Sequence, residues 1–290
     1  TELCSGFSQG LKTLKHLSHT HNKIKTIDTD AFSELKDLEY LYLNNNAELS
    51  FSGLKYAPLR SLKLLNVNWC RVGVVEKGTF SNLENLSDLS LHGTKIELED
   101  GSFHGMSKLR SLIICDAELK SLPVNVFKGL TRLARLRLYG NKFETLPSGL
   151  FDGLTQLNEL SLNSNKLKTL PAAIFKGLVS LEIIELHYNN LKTLPARLFY
   201  GLATLKSIHL SMNPLRTLSH NLFDGLSYIE KIILYDCQLS SLPVDVFKGC
   251  SKLKIIKLKG NNDLKTLPEG IFHGLTNLID VSFTESGATK

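Results

Sequence analysis

One phrase, L-x-x-L-x-L-x-x-N-x-L, returns along the whole 290-residue chain at a nearly fixed spacing. Its first position falls at Leu14, Leu38, Leu62, Leu86, Leu109, Leu133, Leu157, Leu181, Leu205, Ile229, Leu253 and Leu278. Nine of the eleven steps are 24 residues long; Leu86 to Leu109 is 23 and Leu253 to Leu278 is 25. Such a period marks a stack of repeats, each burying its apolar face only against the next copy. A stack has no central pocket. It offers a long surface, so recognition is expected before chemistry.

The repeat that starts at Leu157 shows the local logic. Leu160 and Leu162 are two residues apart and share one face of a strand, while Glu159, Ser161 and Asn163 take the other. Stacking pairs these strands into a parallel sheet, with neighbours about 4.8 Å apart and leucines inside. Asn165 recurs as Asn22, Asn46, Asn141, Asn189, Asn213 and Asn261, where the chain leaves the sheet and an amide can satisfy the freed backbone groups. Cys70, Thr94, Ala117, Cys237 and Ser286 fill the slot elsewhere. The two cysteines read as structural, and Ala117 cannot serve. A phenylalanine series follows on the return segment: Phe127, Phe151, Phe175, Phe199, Phe247 and Phe272 after Leu-Pro, with Phe32, Phe80, Phe103 and Phe223 in the same slot without proline. Such a series predicts a stacked spine bounding the core. The span from Leu49 to Ala117 is less regular, which reads equally as a bend or contact site and as drift.

A content of 42% hydrophobic and 21% charged residues describes a well-cored protein. No apolar run approaches the roughly 18 residues that span a bilayer. The start at Thr1, without a leader segment, reads as a processed or trimmed product. A net charge of +6 is too small and too scattered to argue for nucleic acid. Five cysteines make no close-spaced pair of the metal or redox kind, and their odd number excludes complete pairing within one chain.

The outward strand positions supply the candidate ligand-binding residues: Tyr40, Tyr42, Asn66, Trp69, His92, Arg135, Arg137, Tyr139, Glu159, Glu185, His187, Tyr188, His209, Met212 and Tyr235. Aromatic, arginine, methionine and asparagine side chains prevail, the mixture enriched at protein interfaces. The plainer account is that aromatic residues merely suit strands. Glu185, His187 and Ser211 share a face, yet nothing supplies an oxyanion hole or a walled cleft, so no catalytic residues are assigned. His16, His19 and His21 cannot converge on a metal, because alternation sends His19 inward, and no cofactor is implied. Lys120, Lys168, Lys192, Arg216 and Lys265 recur in one column, but Glu144 and Ser240 interrupt it. A solvated column is expected there rather than a polyanion site. The sequon Asn85-Leu86-Ser87 makes Asn85 the candidate glycosylation site.

From Leu119 to Leu278 the phrase L-x-x-L-P-x-x-x-F-x-G-L-x-x-L-x-x-L-x-L-x-x-N, as in Leu146-Pro147 through Asn165, resembles the "typical" class of extracellular leucine-rich repeats. The chain is similar to Toll-type receptor ectodomains, Slit-like proteins and the variable lymphocyte receptors of jawless fish. The resemblance implies an α/β solenoid: a horseshoe with a parallel concave sheet and an irregular, 3-10 or short-helical convex side. It divides the chain into a short cap at 1–13, about twelve repeats at 14–286 and a tail at 287–290. It also implies an extracellular or cell-surface module that binds a protein ligand through the concave face, in immune or cell recognition, and not an enzyme. The disulfide-bonded flanking caps common in those families are missing, which fits a trimmed ectodomain. A self-associating scaffold is the alternative, through end-to-end contact at residues 278–283.

Overall fold

The computed structural model describes residues 2–50 and 53–283. The expected slot at Ser286 and the tail beyond it lie outside the described residues. The chain divides into two compact units, Thr1–Asn141 and Lys142–Lys290.

The first unit contains β1 (Glu2–Leu3), β2 (His16–Ser18), β3 (Thr26–Ile27), β4 (Tyr40–Tyr42), β5 (Leu64–Asn66), β6 (Gly73–Val75), β7 (Asp88–Ser90), β8 (Ile96–Leu98), β9 (Ser111–Ile113) and β10 (Arg135–Arg137). Strands β2, β4, β5, β7, β9 and β10 lie side by side in a parallel sheet. Two further parallel pairs, β1 with β3 and β6 with β8, form on the return path. The second unit contains β11 (Glu159–Ser161), β12 (Ile183–Glu185), β13 (Ser207–His209), β14 (Lys231–Ile233), β15 (Ile255–Lys257) and β16 (Asp280–Ser282), again parallel and in chain order. Among the described residues the only helical turn is the 3-10 segment Leu54–Tyr56. The expected solenoid is therefore met, with a return side of turns and short strand pairs.

Changes in repeat length do not disturb the sheet. Asp88 pairs with Ser111 across the 23-residue step, and Ile255 with Asp280 across the 25-residue step, in the same register as Tyr40 with Leu64. The missing residue falls between Thr94 and Phe103, and the added one between Asn261 and Phe272, both on the return path. Register is held because a slip of one residue would turn every leucine outward.

Inside each unit the packing is aliphatic on the sheet side and aromatic on the return side. Leu160, Leu162, Leu136 and Leu138 are fully buried. Phe80, Phe103 and Phe127 stack at 6.1 and 6.3 Å with rings within 9° of parallel. Phe151, Phe175, Phe199, Phe223 and Phe247 stack likewise at 6.0–6.5 Å, within 12° of parallel. Truncating one such ring removes about 3–5 kcal/mol.

The asparagine slot is a hydrogen-bond bracket between repeats. Buried Asn189 donates from Nδ2 to Leu162 O and Leu186 O, both at 3.0 Å, and its Oδ1 accepts from Leu167 N at 3.0 Å. Asn141, Asn213 and Asn261 repeat the pattern. Cys70 and Cys237 replace only the donor half, each directing Sγ to the carbonyl 27 residues earlier at 3.4 Å. Burial pushes the Cys115, Cys237 and Cys250 thiols up to about 12 and raises Cys70, so all four stay protonated and structural.

Residues 2–13 carry the backbone of a return segment. The bonds Phe7 N to Cys4 O, Gln9 N to Gly6 O and Leu11 N to Ser8 O repeat those of Ala31, Ser33 and Leu35, 24 residues later. Fully buried Ser8 takes the phenylalanine slot, and Phe7 packs edge-on against His19 at 5.1 Å. Cys4 is exposed, with a free thiol. In the irregular span, β6, β8 and residues 117–123 line an open groove of about 740 Å³ bearing both charge signs: Arg71, Lys95 and Lys120 against Glu97 and Glu118.

The bracket predicts a graded series at one slot. Asn189→Ala leaves the Leu167 N–H without its acceptor and takes one of two amide donors from Leu162 O and Leu186 O, which keep those of Asn165 and Asn213. It should cost about 1–3 kcal/mol in urea unfolding, whereas Asn189→Cys, which retains a donor, should cost less. Equal losses for the two would remove the bracket from the account.

Candidate functional site

The outer face of each sheet carries the side chains that alternation turns away from the leucines. In the first unit Tyr40 and Tyr42 are half-buried on β4, and the Tyr40 ring stacks on His16 at 4.4 Å. Asn66 on β5 holds the Asn68 N–H at 3.0 Å. Arg135 is exposed and Arg137 half-buried on β10. In the second unit Ser161 is buried rather than open and donates to Glu185 Oε2 at 3.1 Å. Glu159 and Glu185 are half-buried. Ile183 and Ile255, absent from the sequence-derived set, also sit at outward positions of this face. Alternation alone would have found them.

Several named residues lie beyond the strands. His92, Tyr139, His187 and Tyr235 follow their strands by two residues, and Trp69, Tyr188 and Met212 by three. This last position has one conformation throughout. His21, Asn45, Trp69, Gly93, Asp116, Gly140, Ser164, Tyr188, Met212, Asp236 and Gly260 all have positive φ. The cause is the backbone ladder: Trp69 N donates to His92 O, Tyr188 N to Ser211 O and Met212 N to Tyr235 O, at 2.8, 3.0 and 2.9 Å. Glycine, asparagine and aspartate enter this region cheaply; other residues cost roughly 1–2 kcal/mol. Trp69, Tyr188 and Met212 nevertheless hold φ of +58°, +54° and +57°, with 52%, 57% and 39% of their surface exposed. These large side chains accept strain while much of their surface stays in solvent. The signal was present in the sequence as the glycines, asparagine and aspartates recurring one residue before the asparagine slot.

Two clusters result. In the first unit Trp69 meets His92 edge-on at 4.8 Å, and Tyr139 lies 6.3 Å beyond, half-buried over Cys115. In the second unit His187 and His209 stack at 3.9 Å, with Tyr188 5.7 Å from His187. Desolvation holds His209 down to about 4, aided by His187 and Lys231, and also lowers His187 against the pull of Glu185. Both rings are therefore held toward the neutral form, and the face presents uncharged ring surface where the sequence shows histidine.

Chemistry is poorly served. Ser211 Oγ accepts the Tyr235 N–H at 2.9 Å, and Glu185 is engaged by Ser161, so the Glu-His-Ser grouping is not assembled. Among the described residues no group of three His, Cys, Asp or Glu side chains is placed to hold a metal ion, and no helix is long and apolar enough to cross a membrane. In the basic column Lys168 pairs with Glu144 at 2.6 Å and Lys265 donates to Asn262 O. Asn85 is exposed, with Nδ2 donating to Arg60 O at 2.7 Å.

Two measurements follow. Tyr188→Asn and Met212→Asn relieve strain where much of the side chain stays in solvent, so each should leave stability unchanged or raise it by about 0.5–1 kcal/mol; losses beyond 1 kcal/mol would make these side chains structural. His209 has a depressed folded value, so the unfolded chain binds its proton first as pH falls. Stability should therefore drop between about pH 6.5 and 4, by about 1–2 kcal/mol after allowing for solvent screening. Urea midpoints should show this slope, flattened in His209→Gln.

The leucine-rich repeat family matches at residues 1–47, 60–114, 107–167, 155–215, 180–238 and 227–284. Keratocan of Gallus gallus is 30% identical over 118 residues, covering 39% of this chain and 33% of keratocan. Osteomodulin of Mus musculus is 31% identical over 121 residues, covering 39% and 27%. The chain thus spans about a third of the length of the curated relatives it matches. Among solved structures, a chain of the Toll–Spatzle complex, described as a hub in Drosophila development and innate immunity, is similar with a TM-score of 0.80 at 26% identity, over 93% of this chain and 36% of that one. With repeat after repeat matched, from the first residues to 284, this chain belongs to the leucine-rich repeat family.

Proposed function

We propose that this chain is an extracellular or cell-surface recognition module that binds a protein ligand through the outer sheet face and the left-handed row beside it, as part of an immune or cell-surface receptor ectodomain. The observation that carries the reading is the strained, exposed set Trp69, Tyr188 and Met212. A side chain kept half in solvent at a conformational cost is explained by a contact made outside the chain. Aromatic and methionine anchors of this kind dominate interface energetics. Similarity to keratocan, osteomodulin and the Toll–Spatzle structure supports an extracellular setting and a protein partner. Glycosylation at Asn85 fits that setting, because a glycan on Nδ2 leaves one N–H to keep the bond to Arg60 O.

The test is retention of secreted proteins by the immobilised chain. Tyr139→Ala with Tyr188→Ala should weaken retention of a bound protein about tenfold or more, as expected for two anchors. Tyr228→Ser, an exposed ring on the return side, should leave it unchanged. Retention indifferent to the first variant and lost in the second would move the ligand to the return side.

A further inference from the structure

The outer face of the first unit holds a recess built by four successive repeats. Trp69 lies across Gly93, where a methyl group would overlap the indole ring, and Asp116 lies across Gly140 in the same way. The two glycines let the indole and the carboxylate lie down on the backbone of the next repeat, while their outer sides stay in solvent, with Trp69 52% exposed. His92 joins them, 4.8 Å from the Trp69 ring and with Nδ1 3.5 Å from Asp116 Oδ2. That nitrogen is buried and makes no well-formed hydrogen bond. Tyr139 closes the far side at 6.3 Å. The Asp116 side chain is 45% exposed, and its charge-assisted hydrogen-bonding capacity is largely unspent.

We propose that this recess seats an arginine guanidinium of the protein ligand, stacked on Trp69 and hydrogen-bonded to Asp116. The inference rests on the recognition reading above and names the chemistry of one anchor. Ring faces attract cations, and a carboxylate beside them supplies the directed bond. A planar, weakly hydrated guanidinium meets both demands, whereas an ammonium is compact and strongly hydrated. The other charge bearing on this cluster is Arg137, which acts on Tyr139 and has interactions of its own.

Trp69 is the only tryptophan in the chain, so its fluorescence reports from the recess itself. Acetyl-Gly-Arg-Gly-amide, titrated at fixed ionic strength, should change the emission saturably with a half-point of about 10 mM or lower, near the limit for one anchored side chain. Asp116→Asn should raise the half-point at least fivefold. It places asparagine where Asn45 already adopts the same backbone conformation, so folding is retained. Glu97→Gln, on the return side, should change nothing. No saturable response, an equal response in Asp116→Asn, or an equal response to the leucine or lysine analogue overturns the proposal. A response to methyl glucoside in place of the arginine peptide overturns it too, in favour of a sugar platform. Loss of secreted-protein retention in the Tyr139→Ala/Tyr188→Ala variant alongside a failed titration would refute the recess and leave recognition standing.

Discussion

Within each unit a repeat is fastened to the next by a main-chain ladder that in most repeats ends at a buried amide, and the other properties of the molecule depend on it. A single three-residue strand with its leucines could not persist alone, since such a segment buries too little surface to offset its ordering entropy. Stacked in register, it gains both a covered apolar face and a saturated backbone. The asparagine at the turn completes the pairing for groups that would otherwise lie buried and unsatisfied. Cysteine at Cys70 and Cys237 keeps half of this arrangement, and Ala117 none of it. The weakest brackets therefore include two in the irregular span between Leu49 and Ala117, where the return path also changes character to a β6–β8 pair.

The same ladder dictates conformation where function is proposed. By tying one N–H past the strand to the following repeat, it forces a left-handed backbone once per repeat. Where glycine, asparagine or aspartate stands there, sequence and fold agree. Trp69, Tyr188 and Met212 set the two in conflict, and such local conflict is expected at functional positions. The ladder fixes the backbone that carries these side chains, which would lower the entropy cost of the proposed contact. The histidine stack at His187 and His209, held toward the neutral form, adds to the same effect by presenting ring surface rather than charge.

Most of the architecture was legible in the sequence because its cause is periodic. The inward leucines, the asparagine slot and the phenylalanine spine each follow from one spacing, and the structure places Leu160, Leu162, Asn189 and Phe175 accordingly. Less was legible at the face. The sequence-derived set included Tyr139 and Tyr188 but left out Ile183 and Ile255, which alternation places outward, and it took Trp69, Tyr188 and Met212 for strand residues. Their positions depend on a φ angle that no hydrophobic pattern records. The lowered His209 value and the burial of Ser161 were also out of reach, since both depend on neighbours one repeat away, His187 and Lys231 for the first and Glu185 for the second. Residues 2–13 read as a cap because Ser8 hides the phenylalanine slot.

Amide hydrogen exchange at Tyr188 and Met212 tests most directly whether the ladder imposes the left-handed row. If it does, these two N–H groups, bonded to Ser211 O and Tyr235 O, exchange as slowly as the amides of strands β12 and β13 despite their exposed side chains. Exchange at the rate of an open turn would contradict the account, leaving these residues free to choose their conformation and their strain without meaning.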